Sequence, residues 1–220
     1  MIDYMVRDLL WNDYLVFQTE EEARDWVAGR WGEAAADRLD AFGRMVVQEN
    51  TSQNLIAPST TSSMWIRHLL DSAQLVPLAM PGATRWLDIG TGAGFPGLVV
   101  SLLCPGTTLW LVEPRRRRVD FLCRAAAALN LTNVRVEQCK VEALEGNAFD
   151  VVTARAVASA DDLIRLTSHL RHKATRYILP RGRSGREEVE SLRAQWQGLF
   201  HVEQSLTDPE STIIVADGIA

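Results

Sequence analysis

The sequence predicts an α/β protein with a mostly parallel seven-stranded sheet, preceded by a helical N-terminal cap. From residue 84 onward, short β-rich runs alternate with amphipathic helical stretches. This alternation is typical of a parallel sheet covered on both faces. Before that point the apolar residues follow helical spacing, with no convincing strand ladder. We therefore expect residues 1–82 to form the cap and residues 83–220 to form the core.

The cap is predicted to contain three helical stretches. The first begins at Thr19, which is followed three residues later by Glu22, as in a capping box. The second covers residues 35–50, where apolar residues recur at helical spacing. After a turn at Pro58, a third amphipathic helix is expected over residues 65–70.

Seven strands alternate with four helices in the predicted core. The strands are expected at residues 84–90, 107–113, 133–139, 149–156, 175–180, 199–206 and 211–217. The helices are expected at residues 96–103, 115–130, 160–170 and 185–196. The last two strands can form a hairpin at one edge of the sheet.

Composition places the chain among ordinary globular proteins. Of its 220 residues, 47% are hydrophobic and 23% are charged. No apolar run approaches the roughly 20 residues of a membrane-spanning helix, and residues 1–17 do not resemble a secretory signal. The three cysteines form no C-x-x-C pair, so we expect neither a disulfide framework nor a metal site. We expect a cytoplasmic protein with no membrane partner.

The charge is unevenly distributed along the chain. The formal net charge of −5 argues weakly against nucleic-acid binding. However, residues 115–118 are all arginine, and local basic patches matter more than the total for a polyanion. Positive charge at a helix start opposes the helix dipole, which can mark a functional site. We interpret the run as a phosphate-binding patch; the alternative is a solvated helix start whose last two arginines are partly structural.

A glycine-rich loop, within the stretch RWLDIGTGAGFPG of residues 85–97, follows the first predicted strand. Residues 92–97 fit the dinucleotide pattern G-x-G-x-x-G, whereas residues 90–94, with Asp88 before them, fit the nucleoside-binding loop of S-adenosylmethionine (SAM) methyltransferases. Glycines permit a sharp turn and a close approach to a ligand. Glu113, nineteen residues after Gly94, ends the second strand, where an acid accepts hydrogen bonds from ribose hydroxyls. These features predict a nucleoside ligand without identifying it.

Two details favour SAM over a nicotinamide cofactor. Gly90 follows the strand immediately, and Asp88 lies where a carboxylate can anchor the loop or face the sulfonium of SAM. A dehydrogenase of this size would usually have a Tyr-x-x-x-Lys pair, but Tyr177 is followed at that distance by Arg181.

The stretches DIGTGAGFPG, RRVDFLCRAAAALNLTNVRVEQCKVEAL and FDVVTARAVAS, preceded by NLIA and IRHLLDS, resemble one family. It is the bacterial 16S rRNA guanine-N7 methyltransferases of the glucose-inhibited division protein B family, and the resemblance runs from about Asn54 to Arg183. It implies a class I SAM-dependent methyltransferase fold, Rossmann-like, with a helical cap. It further implies SAM as cofactor and 16S rRNA or the small ribosomal subunit as partner. A monomer is the default expectation.

The resemblance also implies roles for individual residues. Gly90 and Phe95 would contact SAM, Val141 and Glu142 would flank its adenine, and Arg155 would lie in the active-site cleft. Arg67, His68 and Asp71 match a motif, RHxxDS, that bridges cap and core. The complete predicted cofactor site is Asp88, Gly90, Gly92, Gly94, Phe95, Glu113, Val141, Glu142 and Arg155. The predicted RNA-binding residues are Arg67, Arg115, Arg116 and Arg181, the last standing where the family more often has a lysine.

The implied chemistry needs no general base. Guanine N7 carries a free lone pair, so the enzyme needs proximity, alignment and exclusion of water. We expect Arg155 to be the catalytic residue that orients the substrate or the methionine end of SAM; the alternative is a structural arginine paired with Asp88 or Asp71. Phe95 is expected to make an apolar contact with the cofactor. Trp65, Trp86 and Trp110 are expected to pack in the core, and His68 to join cap and core.

Three other functions remain open from the residues alone. The chain could be a SAM-dependent small-molecule methyltransferase, because its net charge is acidic and its C-terminus lacks a basic tail. It could also be a SAM-binding or RNA-binding regulator without turnover. A nicotinamide-dependent enzyme is the most distant alternative.

Overall fold

The computed structural model describes residues 16–146 and 148–220. The predictions for residues 1–15, which include the start of the cap and the absence of a signal, lie outside the described residues. The described part of the cap contains helices α1 (Glu20–Trp31) and α2 (Glu33–Glu49). The capping box is confirmed: Thr19 Oγ1 accepts from the Glu22 N–H, and the Glu22 carboxylate accepts from the Thr19 N–H, both at 3.1 Å.

The third helical stretch of the cap has an unexpected winding. A 3₁₀ helix, Pro58–Ser63, leads to a π-helix, Trp65–Leu70, which continues as one α-helical turn, Asp71–Ala73. The carboxylate of Glu20 accepts hydrogen bonds from the backbone N–H groups of the first two π-helical residues at 2.7 and 3.0 Å. Apolar spacing predicted a helix here but not its winding, since the same side chains remain on the buried face.

The predicted sheet is confirmed, with seven strands in the order β3-β2-β1-β4-β5-β7-β6. The strands are β1 (Arg85–Ile89), β2 (Thr108–Val112), β3 (Val134–Glu137), β4 (Phe149–Ala154), β5 (Arg171–Arg181), β6 (Leu199–Gln204) and β7 (Thr212–Asp217). The first five are parallel, and β7 runs antiparallel to both β5 and β6. The expected terminal hairpin is therefore present.

The helices of the core lie between the strands, as predicted. They are α3 (Gly97–Leu103), α4 (Arg116–Ala128), α5 (Ala160–Leu166) and α6 (Gly185–Gln195). Short 3₁₀ helices occur at Val76–Leu78, Val141–Ala143 and Ser168–Leu170. Strand β5 starts at Arg171, four residues before its predicted position. The sequence did not indicate this extension, because these four residues are polar or exposed and carry no strand pattern.

Two buried clusters cover the two faces of the sheet. The first combines cap residues such as Phe42 and Leu69 with Trp86 and Leu98 of the core. The second packs α5 and α6 against the other face. The packing role of Trp86 and Trp65 is confirmed by their burial, whereas Trp110 is only partly buried. No described helix is long and apolar enough to cross a membrane.

The strand order reverses at β1, because the chain first adds β2 and β3 on one side of it and then β4 and β5 on the other. Adjacent connections then leave the carboxyl ends of β1 and β4 in opposite directions, which opens a crevice at that edge. The glycine-rich loop and Arg155 both follow these strands directly.

Candidate functional site

Two cavities open at this edge of the sheet. The smaller, which we call the loop cavity, has a volume of about 400 Å³ and is lined by the glycine-rich loop, Glu113 and Arg115. The larger, which we call the cap cavity, has a volume of about 770 Å³ and lies between the cap and the ends of β4, β5 and β7. Both volumes are typical of small-molecule sites. Arg155 lines both cavities.

The glycine-rich loop turns sharply where β1 ends. The N–H groups of Gly90 and Thr91 donate to the carbonyl of Val112 in β2 at 2.8 and 3.3 Å. Gly90 has a φ of 63°, and a Cβ there would lie only 2.6 Å from a methyl carbon of Val157. Gly94, with a φ of 95°, faces α3 and the cap instead, where a Cβ would meet Leu98 at 2.7 Å and Phe42 at 3.1 Å. Of the predicted loop glycines, Gly90 and Gly92 line the loop cavity and Gly94 does not.

Asp88 anchors the loop from beneath. Its fully buried carboxylate accepts hydrogen bonds from the Gly97 N–H at 2.9 Å and from Thr153 Oγ1 at 3.0 Å. Burial raises the pKa of this carboxyl to about 6. Asp88 lines neither cavity. Of the two roles that the sequence left open, the geometry therefore favours anchoring the loop.

Glu113 is the acidic group of the loop cavity. Its buried carboxylate accepts from the N–H groups of Gly92 at 3.2 Å and Arg115 at 2.9 Å, and it lies 3.6 Å from the guanidinium of Arg118. A carboxylate offers about four acceptor positions. Glu113 is thus held in place by the loop with capacity left for ligand hydroxyls.

Arg155 is held by three acceptors from the cap. Its Nη1 donates to Asp71 Oδ2 at 3.1 Å and to the carbonyl of Arg67 at 3.3 Å, and its Nη2 lies 3.4 Å from His68 Nδ1. The guanidinium carbon lies 5.3 Å from the centre of the Phe95 ring. The ion pair with Asp71 that was considered as the structural alternative is therefore present, at the junction of the two cavities.

His68 joins the cap to the core, as predicted. Its ring stacks on Phe95 with centroids 5.0 Å apart, and its Nε2 lies 2.8 Å from Thr60 Oγ1. Burial, reinforced by the charges of Arg155 and Arg67, lowers the pKa of His68 to about 3. The imidazole is therefore neutral at physiological pH. With Nδ1 accepting from Arg155, the proton is assigned to Nε2, which donates to Thr60.

Phe95 lines the loop cavity while most of its ring is buried under the cap. Its centroid lies 5.2 Å from that of Phe42 in α2. The ring thus contacts Phe42 and His68 of the cap and Arg155 of the core. An apolar contact with a cofactor stays a prediction.

Val141 and Glu142 are not brought to either cavity. They begin the 3₁₀ helix after β3, where Val141 is buried in the second hydrophobic cluster and Glu142 is exposed. Their place at the carboxyl end of the strand next to β2 is the one that the resemblance implies. Their contact with adenine stays a prediction.

The four consecutive arginines divide into two pairs. Arg115 lines the loop cavity, and Arg116 is exposed in the first turn of α4. Arg117 donates to the carbonyl of Ser52 at 2.6 Å, and the guanidinium of Arg118 lies 3.6 Å from the carboxylate of Glu113. The last two arginines thus make internal contacts, although Arg117 is exposed and Arg118 also lines the loop cavity. The phosphate contacts of the first pair stay a prediction.

The other two arginines predicted to bind RNA both line the cap cavity, with different exposure. The side chain of Arg67 is half exposed and lies 3.6 Å from the Asp208 carboxylate. Arg181 is 7% exposed and donates to Glu188 and to the carbonyls of Ala158 and Pro180, each at 3.1 Å. The predicted phosphate contact of Arg181 is not favoured by this geometry, because its guanidinium already faces internal acceptors.

Some residues of the site carry no signal in the sequence. Thr153 accepts from Trp86 Nε1 at 3.0 Å and donates toward Asp88, which it thereby fixes. Thr60 Oγ1 contacts His68 Nε2 at 2.8 Å from eight residues away, and no motif marks it. In the described chain, no group of three or more His, Cys, Asp or Glu could hold a metal ion.

The sequence of this chain is similar to those of known proteins over most of its length. A family model described as GidB, rRNA small subunit methyltransferase G, matches residues 35–212. A ribosomal RNA small subunit methyltransferase G from Rhizorhabdus wittichii is 46% identical over 203 residues, covering 91% of this chain and 94% of that protein. A protein of the same name from Erythrobacter litoralis is 42% identical, covering 92% and 98%.

Solved structures support the fold alone, because their sequences are distant. An O-methyltransferase from Bacillus cereus in complex with SAH aligns with a TM-score of 0.58 at 15% identity, covering 90% of this chain and 100% of that one. A putative O-methyltransferase from Klebsiella pneumoniae aligns with a TM-score of 0.56 at 16% identity, covering 82% and 90%. The predicted class I methyltransferase fold is confirmed.

Proposed function

This chain belongs to the rRNA small subunit methyltransferase G family, and we propose that it methylates N7 of one specific guanosine in 16S rRNA. It is a SAM-dependent methyltransferase. The observation that carries the proposal is the position of Arg155. This residue lies between a cavity suited to a nucleoside and a larger cavity beneath the cap.

The loop cavity is proposed to bind SAM. Its buried Glu113 has acceptor capacity for the ribose, and Gly90 and Gly92 let the backbone approach a ligand. Phe95 borders the same space. When bound, SAM supplies an electrophilic methyl group. Asp88 and Gly94 act indirectly by shaping the loop, and Val141 and Glu142 are proposed to flank the adenine.

The cap cavity is proposed to admit the target nucleotide. N7 needs no deprotonation, so no residue has to act as a base. The titratable groups at the junction fit this requirement, because the low pKa of His68 keeps it neutral and Asp71 is paired with Arg155. Arg155 can hold a substrate oxygen, such as O6, but must leave N7 free. The cap residues that border the junction are proposed to limit the access of water once the substrate is bound.

Arg67, Arg115 and Arg116 are proposed to contact the RNA backbone. The first borders the cap cavity, the second borders the loop cavity, and the third is exposed beside it. Arg181 is proposed to support the loop after β4 rather than to bind phosphate. We propose that the protein acts as a monomer in the cytoplasm, with residues 1–82 as cap and residues 83–220 as catalytic core.

Transfer of labelled methyl groups from SAM tests the proposal. The substrates are small ribosomal subunits from a strain lacking the activity, and the deproteinised RNA of those subunits. We expect incorporation into the RNA with at least one of them. Binding of SAM without incorporation into either would contradict the proposal, and would favour a small-molecule substrate or a regulator without turnover.

A further inference from the structure

The two cavities share one wall. Leu55, Arg155, Ala156 and Val157 line both of them. A substrate atom that enters from the cap cavity must pass these residues to reach a ligand in the loop cavity. Arg155 is the polar group of this wall, and its other three side chains are apolar.

Val157 is an exposed apolar side chain at this passage. It is 46% exposed, and of the three large hydrophobic residues that are exposed in the described chain it alone borders the two cavities. The other two are Val47 and Leu199. Scattered exposed hydrophobic residues need no explanation, but one at the junction of two ligand-sized cavities is available for contact with a ligand.

The backbone fixes the position of Val157. The preceding residue, Ala156, has a φ of 55°, which is uncommon for a residue other than glycine and is found disproportionately at functional sites. Val157 rests on Gly90, where any side chain would displace it. The strained turn and the missing Cβ together hold the valine over the end of β1.

Leu55 is fixed to the cap. The side-chain oxygen of Asn50, which ends α2, accepts from the N–H groups of Leu55 and Ile56 at 2.8 and 3.0 Å. Leu55 is 9% exposed, so its remaining surface faces the cavities that it lines. One apolar residue of the shared wall thus belongs to the cap and the other to the core.

We propose that Leu55 and Val157 form an apolar slot that receives the target guanine by its flat faces. The inference rests on the proposed function and deepens it by assigning the subsite for the base. A base taken out of its stack loses contacts over both faces, and apolar side chains can replace them by dispersion. With the faces held in this way, the polar edges stay free: N7 points to the loop cavity and O6 lies within reach of Arg155.

The cap cavity then holds the sugar and phosphate of the same nucleotide. Its lining includes the polar residues Thr60, Ser159 and Thr207 together with Arg67, whose side chain is half exposed. This division agrees with the chemistry of a nucleotide, whose base faces are apolar and whose backbone is polar and charged.

The test separates binding of RNA from binding of cofactor. Val157→Ala removes two methyl groups, and we expect it to raise the KM for small ribosomal subunits about tenfold, the effect of losing two buried methyl groups. The Kd for S-adenosylhomocysteine, measured by calorimetry, should stay within about twofold because the cofactor loop is intact. Val157→Ile retains the apolar surface and should keep the KM of the wild type. Val47→Ala, the same change at a valine that is 39% exposed elsewhere, is the matched control.

Leu55→Ala should reproduce the rise in KM, with a thermal melt to establish that the buried site has not unfolded. The proposal is overturned if Val157→Ala has the KM of Val47→Ala. It is also overturned if Val157→Ala weakens S-adenosylhomocysteine binding as much as it raises the KM, because the valine would then belong to the cofactor site. Failure of the wild-type protein to methylate the subunits is a different result, which removes the proposed function and this slot together.

Discussion

At the scale of single residues, the proposed catalysis depends most on Arg155. It pairs with Asp71 and also borders both cavities. We expect Arg155→Ala to lower kcat by about 10²- to 10³-fold, the usual effect of losing one preorganised donor. SAM binding should weaken no more than turnover does. Arg155→Lys should recover only part of the rate, because it restores the charge without the planar fork.

Arg176 offers a matched control for this substitution. It pairs with Asp217 at 2.7 Å, with a side-chain exposure of 21% against 24% for Arg155, but it lines neither cavity. Arg176→Ala should therefore cost stability and leave methyl transfer per folded molecule unchanged. Wild-type turnover in Arg155→Ala would show that its ion pair is purely structural.

His68 makes the stability of the fold depend on pH. Its pKa is about 3 in the folded protein and about 6.5 when unfolded. As pH falls below 6.5, the unfolded chain binds the proton first, so the free energy of unfolding decreases by about 1.4 kcal/mol per pH unit until pH 3. The raised pKa of Asp88 acts in the opposite direction between about pH 6 and pH 4.

A His68→Asn variant isolates this effect, because it retains Asp88. Urea unfolding at pH 7.5 and 5.5 should show the wild type losing about 1.4 kcal/mol more than the variant. Asparagine can still accept from Arg155, so the comparison does not depend on the loss of that contact. Equal losses in the two proteins would mean that His68 titrates normally in the fold.

At the scale of elements, the sequence was most informative where structure and function are local. The turn from β1 into α3 needs glycine within a few residues, and Glu113 must end the neighbouring strand, so both were predictable. Helical spacing likewise placed Phe42 on a buried face. It could not identify Phe95 as its partner, because periodicity defines a face but not what covers it.

Contacts between distant segments could not be predicted in the same way. Arg155 meets the carbonyl of Arg67 across 88 residues of sequence, and the meeting depends on how the cap lies on the sheet. The exposure of Val157 depends on the same packing. Only the resemblance to a family indicated that the RHxxDS motif would join the cap to the core.

The start of α4 tests how RNA approaches the site. We expect the double substitution Arg115→Glu with Arg116→Glu to weaken RNA binding and to reduce the slope of affinity against salt concentration, since two phosphate contacts are lost. Filter binding of small-subunit RNA at several salt concentrations measures both quantities.

Lys173 provides the control for charge reversal. It is exposed near the start of β5, at the edge of the sheet opposite the cavities. Lys173→Glu should leave the salt slope unchanged. If the arginine double variant behaves like Lys173→Glu, the basic start of α4 is only a solvated helix end.

At the scale of the whole molecule, the fold places the proposed cofactor site and the proposed substrate site side by side at one edge of the sheet. The reversal of strand order at β1 opens the loop cavity over β1 and β2, while the cap and the ends of β4, β5 and β7 enclose the larger one. This arrangement also explains how a chain with a net charge of −5 can act on RNA. Its cationic groups need only be concentrated where the two cavities open.

The position of the methyl group on the product tests the central claim most directly. Small ribosomal subunits from a strain lacking the activity would be treated with the protein and SAM, and their RNA cleaved chemically at 7-methylguanosine. We predict one cleavage site in the 16S rRNA, absent without SAM and strongly reduced with Arg155→Ala. Incorporation of methyl groups without such a site would contradict attack by N7 and the arrangement of residues proposed here.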